Sequence, residues 1–240
     1  MISGSPHVRA NPTRDVRIGG VRGQDQEGRE VRAMTRGELA KLLHATPEHW
    51  RLLFELLAHT GLRISEAAGL EWRDVEFGKS PRLHVRRQDC RGEVGALKSE
   101  HSRRDVPLSP EMSQRLWAAR RGRAATDRVF TTEAGTRVND GNLRRRVLKP
   151  AREAAGLPWV TPHAFRHTCA SLLFEAGRDV KQVATWLGHA DPAFTLRTYV
   201  HLMDEGVGDA AFMDQAVQVG KGWATQGPET AETEPAAKAS

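Results

Sequence analysis

From Thr35 onward, apolar residues recur at helical spacing. Leu39, Leu42 and Leu43 form one stripe, and Thr35 with Glu38 reads as the capping box that opens its helix. A second stripe runs through Trp50, Leu53, Phe54, Leu56 and Leu57 and stops near Thr60-Gly61. A third helix is expected to open at Arg63 or just after it, burying Ile64, Ala67, Ala68 and Leu70. The period then changes from helical to alternating. Val75 and Phe77, Leu83 and Val85, and Val106 and Leu108 predict three short strands of a small antiparallel sheet. The polar, glycine-containing stretch between the last two, residues 86–105, reads as a long mobile hairpin connection.

Helical spacing then returns. Ser109-Pro110-Glu111 caps a helix carrying Met112, Leu116 and Trp117. Val129-Phe130 reads as a short buried piece before a turn at Gly135. Asn139 or Asp140 caps a helix whose Leu143, Val147 and Leu148 face inward and whose Arg144, Arg145 and Arg146 face solvent. Thr161-Pro162 starts a long helix, with His163 in its first turn. Arg178 or Asp179 starts another, ending at Gly188. Asp191-Pro192 restarts a helix bearing Phe194, Leu196 and Tyr199, so His189 lies in the turn between two helices. An apolar stripe at residues 210–217 suggests a last helix, docked on its own domain or on a neighbouring subunit. The fold class expected is mainly α with a small antiparallel β-sheet (α+β), in a domain spanning residues 33–218. Residues 1–32 read as a linker and 219–240 as a tail, since neither shows apolar periodicity.

Composition adds a direction. The net charge is +6 with a pI near 9.8, and 29 of the 36 basic residues are arginine, whose planar fork matches phosphate oxygens. This favours an anionic partner, nucleic acid before membrane. Cys90 and Cys169 are too few for a disulfide framework, which points to a reducing, cytoplasmic setting. No apolar run is long enough for a bilayer span.

The candidate chemistry gathers late in the chain. Tyr199, the single tyrosine of the sequence, follows His189, which follows His163 and Arg166 three residues apart on one helix face. Attack on a phosphodiester spreads negative charge over non-bridging oxygens, which two fixed guanidinium groups would stabilise. Arg63 and Arg166 are the candidates. The leaving alkoxide needs a proton donor, and a tyrosine nucleophile must lose its proton. His163 and His167 form an i, i+4 pair, but no neighbouring acid or cysteine completes a metal set.

Together Thr60-Gly-Leu-Arg63-Ile-Ser-Glu66, Lys98, His163-Ala-Phe-Arg166-His167, Leu187-Gly-His189 and Tyr199 resemble the motifs of the tyrosine recombinases, the phage integrase family. The similarity covers roughly residues 33–215. It implies the catalytic-domain fold of that family and DNA strand exchange without metal, nucleotide or other cofactor. By the resemblance, Tyr199 attacks the scissile phosphate to give a 3′-phosphotyrosyl link. Arg63 and Arg166 hold that phosphate and His189 donates a further hydrogen bond. Lys98 protonates the leaving 5′-oxygen, His163 helps move the tyrosine proton, and Glu66 orients Arg63 or a histidine from behind. The partners implied are double-stranded DNA at the nucleoid, three further copies in a homotetramer, and accessory DNA-bending proteins.

One feature departs from that family's pattern. Its members carry a helical core-binding domain ahead of the catalytic one, and residues 1–32 are too few to form it. The expectation is therefore a recombinase lacking that domain, with weak and salt-sensitive DNA binding. The alternative is a truncated, non-enzymatic DNA-binding relic of an integrase.

Overall fold

The computed structural model describes residues 32–90, 93–96 and 102–199. Lys98, the segment 1–31, the stripe at 210–217 and the tail at 219–240 lie outside these described residues. Helices α1 (Arg36–Ala45), α2 (Glu48–Thr60) and α3 (Ile64–Gly69) come first. The capping box forms as read: Thr35 Oγ1 accepts from the Glu38 backbone N–H, and Glu38 accepts from that of Thr35. Gly61 ends α2 in the left-handed region at φ 65°. The turn leaves no room for a larger residue, because a Cβ there would collide with the buried Leu187 side chain.

The sheet follows, with β1 (Val75–Glu76), β2 (Arg82–Val85) and β5 (Arg104–Pro107) antiparallel in the order β1-β2-β5. Leu83 pairs with Val75 on one side and Val106 on the other, and Val85 pairs with Arg104. The connection between β2 and β5 departs from expectation. Where the sequence suggested an irregular hairpin, β3 (Arg87–Cys90) and β4 (Glu93–Ala96) form a second antiparallel ribbon. Its anchor is electrostatic and steric rather than apolar, and so gave no hydrophobic signal. Arg87 pairs with Asp74 and Glu71, and Gly69 lets the backbone at Gln88 approach to 3.1 Å of where a Cβ would stand.

Then come α4 (Pro110–Arg120), α5 (Asp140–Leu143), a π-helical turn (Arg144–Leu148), α6 (Lys149–Ala154), α7 (Pro162–Glu175), α8 (Val180–Leu187) and α9 (Pro192–Tyr199). Ser109, Asn139 and Asp179 each accept a backbone N–H as N-caps. Leu143, Val147 and Leu148 are buried while Arg144, Arg145 and Arg146 are exposed, as the pattern required. Trp117 behaves differently from the rest of its stripe: it is 61% exposed and meets Phe77 edge-on instead of entering the core. The main core joins α1 to α4, the sheet and the start of α7. A smaller cluster of Cys169, Ala170, Val183, Leu187 and Tyr199 lies where α7, α8 and α9 meet. This α+β architecture agrees with the expected class.

Candidate active site: an arginine cleft beside a buried tyrosine

Three local features aim charged groups at one cleft. Arg63 is the N-cap of α3, so its side chain leaves from a helix start. His163 lies just after Pro162 at the beginning of α7, with Arg166 three residues on. Leu62, Arg63, His163 and Arg166 line a cleft of about 110 Å³, bordered by Asp140 and Arg144. Arg144 is held to Asp140 by Nε and Nη2 at 2.7 and 2.8 Å.

Arg166 is buried and pinned by two backbone carbonyls, Gly61 at 2.7 Å and Leu187 at 2.6 Å. The αL turn after α2 and the end of α8 thus fix one guanidinium between them. Burial lowers its pKa to about 9, helped by the positive charges of Arg63 and Arg104 and opposed by Glu66 and Tyr199. It remains protonated at neutral pH. Arg63 is half-exposed and bonds through Nη1 to Glu66 Oε1 at 2.8 Å. The Glu66 carboxylate also accepts the Arg63 backbone N–H at 3.0 Å, closing the first turn of α3. Burial alone would raise the pKa of Glu66. The charges and hydrogen bonds of Arg104 and Arg63 outweigh it, and the net shift is downward.

His189 occupies the turn after Gly188, whose φ is 71°. Its Nδ1 lies 2.7 Å from the Thr195 hydroxyl, a fully buried group on α9. Burial first, then the positive charges of Arg166, Arg63 and Arg104, push its pKa down to about 3. The ring is therefore neutral at pH 7. If Thr195 donates to Nδ1, the proton sits on Nε2, which becomes a donor. The consequence for stability has a definite sign. Between about pH 6.5 and 3 the unfolded chain binds a proton that the folded chain refuses, so stability is complete above that window and falls as pH drops through it. His59, also lowered by burial, adds in the same sense. The thermal midpoint should fall with pH across this range, and less steeply in His189→Asn. Equal slopes would contradict the assignment.

Tyr199 ends α9 with 1% of its surface exposed, against Phe174 and the small cluster. Its hydroxyl is 2.9 Å from His167 Nδ1. Burial raises its pKa to about 12, although the Arg166 charge acts in the opposite direction. The phenol is fully protonated at neutral pH.

The structure thus brings Arg63, His163 and Arg166 to one cleft and couples Tyr199 and His189 electrostatically to Arg166. Glu66 is placed behind Arg63. Three contacts were not foreseen in sequence. Arg104 bonds Glu66 from β5, Thr195 holds His189, and His167, not His163, is the hydroxyl partner of Tyr199. Strand alternation could have exposed the first, since Arg104 shares a face with Val106. For Thr195 no sequence signal is apparent. Among the described residues no group of histidine, cysteine and acidic side chains is arranged to hold a metal.

The sequence profile described as "Phage integrase family" matches residues 32–205. The chain belongs to the phage integrase family. It is 30% identical over 203 residues to a XerC-like tyrosine recombinase of Caldanaerobacter subterraneus, covering 72% of this chain and 51% of that one. It is 32% identical over 157 residues to the tyrosine recombinase XerC of Corynebacterium efficiens, covering 64% and 46% respectively. The chain therefore spans about half the length of these curated relatives. Among solved structures, the Tn1549 transposon integrase in complex with transposon right end DNA superimposes with a TM-score of 0.62 at 21% identity, covering 82% of this chain and 68% of that one. The catalytic domain of bacteriophage HP1 integrase gives 0.55 at 19% identity, covering 78% and 98%. The fold is that of tyrosine recombinase catalytic domains. No helix among the described residues is long and apolar enough to cross a membrane.

Proposed function

We propose that this chain carries the catalytic domain of a site-specific DNA recombinase that breaks and rejoins strands through Tyr199. The observation carrying this reading is the shared cleft of Arg63, His163 and Arg166, with Tyr199 close enough to Arg166 for their charges to interact. A scissile phosphate in that cleft would meet two guanidinium groups, and neutral His189 would offer Nε2–H as a third donor. The Tyr199 oxygen attacks phosphorus, forming a phosphotyrosyl ester as the bond to the 5′-oxygen breaks. The phenolic proton passes to a histidine, and Lys98 supplies a proton to the departing 5′-oxygen. His163, already in the cleft, is the proposed acceptor once the hydroxyl has moved there. His167 holds that hydroxyl in the arrangement seen. The ester conserves the phosphodiester bond energy, so a 5′-hydroxyl of another duplex can reverse the step without a nucleotide. The partner is double-stranded DNA, with a homotetramer serving both duplexes.

Burial of Tyr199 favours a second reading, a DNA-binding protein that does not cleave. In the enzymatic reading the hydroxyl must leave His167 when DNA binds, which requires α9 to move. One experiment separates the two. The chain is incubated with a pool of nicked duplexes of randomised sequence, in which the short cleaved fragment diffuses away, and then denatured in SDS. The proposal expects DNA retained covalently on wild-type protein and none on Tyr199→Phe. Binding without retention would support the second reading.

A further inference from the structure

We propose that Arg104 is a positioning residue for the phosphate chemistry, holding Glu66 so that Arg63 faces the cleft. The inference rests on the recombinase reading above and deepens it. Arg104 lies on β5 with only 4% of its side chain exposed. Its Nη2 donates to Glu66 Oε2 at 3.0 Å and its Nη1 to Oε1 at 3.3 Å. Nε donates to the Trp186 carbonyl at 2.8 Å, and Nη1 also to the Ser102 carbonyl at 3.2 Å. One planar fork thus joins β5, the start of α3 and the end of α8.

The sharing of the carboxylate decides what this does. Oε1 takes one donor from the Arg63 side chain and one from Arg104; Oε2 takes the Arg63 backbone N–H and one from Arg104. With both oxygens so occupied, Glu66 engages the Arg63 guanidinium through Nη1 alone, leaving Nε and Nη2 for a phosphate. Without Arg104, a buried carboxylate would have one cation left to satisfy it. The two-pronged pairing that arginine favours would then draw Arg63 onto Glu66 and away from the cleft.

Two further observations argue against a merely cohesive role. Arg104 adds positive charge where it is electrostatically costly, since it lowers the pKa of both Arg166 and His189. A buried ion pair used only for cohesion is replaceable by apolar packing at little cost. In addition, the glycine of Leu187-Gly-His189 leaves space for this side chain. A Cβ at Gly188 would lie 2.9 Å from Arg104 Cδ and Nη1. The backbone turn that presents His189 is therefore shaped around the same guanidinium that positions Arg63.

The test compares cleavage by Arg104→Met on the duplex recovered from the nicked pool with cleavage of the same duplex bearing a neutral methylphosphonate at the scissile position. Rates are taken relative to wild type on each substrate. Arg104→Met should lose roughly 10²-fold on the phosphate, the scale of one lost transition-state donor. Most of that loss should vanish on the methylphosphonate, which has no charge for Arg63 to neutralise. The ratio of the two losses does not depend on how much protein folds. Should Arg104→Met be insoluble, Arg104→Lys gives the same ratio, since an ammonium cannot span both Glu66 oxygens and the Trp186 carbonyl. A second arm adds Glu66→Gln to Arg104→Met. Removing the charge that captures Arg63 should make the double variant cleave faster than Arg104→Met alone. Equal losses on both substrates, or no gain in the double variant, would overturn the inference. Arg63→Ala runs alongside: wild-type cleavage by that variant would instead overturn the chemistry on which the inference rests.

Discussion

Arg166→Ala should slow strand cleavage by roughly 10³-fold, the upper end of what one preorganised donor supplies, while its cost in stability is partly offset by the relief of a buried charge. The two effects differ because they have different origins. For cleavage, the variant removes the better fixed of the two guanidinium groups, pinned by the Gly61 and Leu187 carbonyls before any DNA arrives. Preorganisation is what makes such a group effective, since it need not be ordered during the reaction. For stability, two carbonyls lose a charged donor, costing about 1–3 kcal/mol each if water cannot replace it. Against this, a buried cation whose pKa is already depressed by burial and by Arg63 and Arg104 is relieved. Arg166→Lys should recover little of the rate, because one ammonium cannot serve two carbonyls and a phosphate together. The rate of covalent adduct formation and a urea unfolding curve, measured on the same preparations, check both halves. A stability loss large enough to account for the rate would contradict the assignment.

Glu66→Ala is the substitution expected to cost most in stability, about 3–5 kcal/mol, the range for removing one partner of a buried ion pair. Glu66 is 1% exposed and is the acidic side chain that both Arg63 and Arg104 bond. Without it Arg63, Arg104 and Arg166 face one another with no carboxylate between them. The first turn of α3 also loses the group that accepts the Arg63 backbone N–H. Glu66→Gln keeps the shape and the acceptor oxygen and should lose less. Acid acts in the same direction. The folded pKa lies below the ordinary glutamate value of 4.5, so the contribution of Glu66 is complete above that value and is lost as pH falls through the folded one. Urea midpoints for the two variants, and the wild type near its acid limit, test this. A Glu66→Ala protein as stable as wild type would show that the arginine cluster does not depend on the carboxylate.

The helices were legible from their apolar spacing, and four of them also from their N-caps, although Thr161 starts α7 without a side-chain cap bond. Thr35 with Glu38, Ser109, Asn139 and Asp179 each cap the helix they were read as starting, with Asn139 deciding between two candidates. The ribbon of β3 and β4 was not legible, since charge and a small glycine hold it against α3. Trp117 misleads for the opposite reason: an apolar residue beside a buried stripe need not enter it. In the site, Glu66 was read as standing behind Arg63, whereas Arg104, which bonds Glu66 from the other side, was not read at all. Arg104 falls in the polar stretch 86–105 that reads as a mobile connection, yet its pairing with Val85 points it inward. The two histidines of α7 show a similar limit. One helical turn separates His163, which lines the cleft, from His167, which faces the buried phenol. Spacing alone does not reveal which of them the tyrosine meets.

The central claim is that Tyr199 becomes covalently joined to DNA. Its most direct measurement is protease digestion of the denatured adduct, with mass spectrometry of the peptide that carries nucleotide. The account predicts a single modified peptide containing Tyr199, linked to a 3′-phosphate, with a free 5′-hydroxyl on the released strand. Nucleotide on any other residue, or a link to a 5′-phosphate, would contradict it.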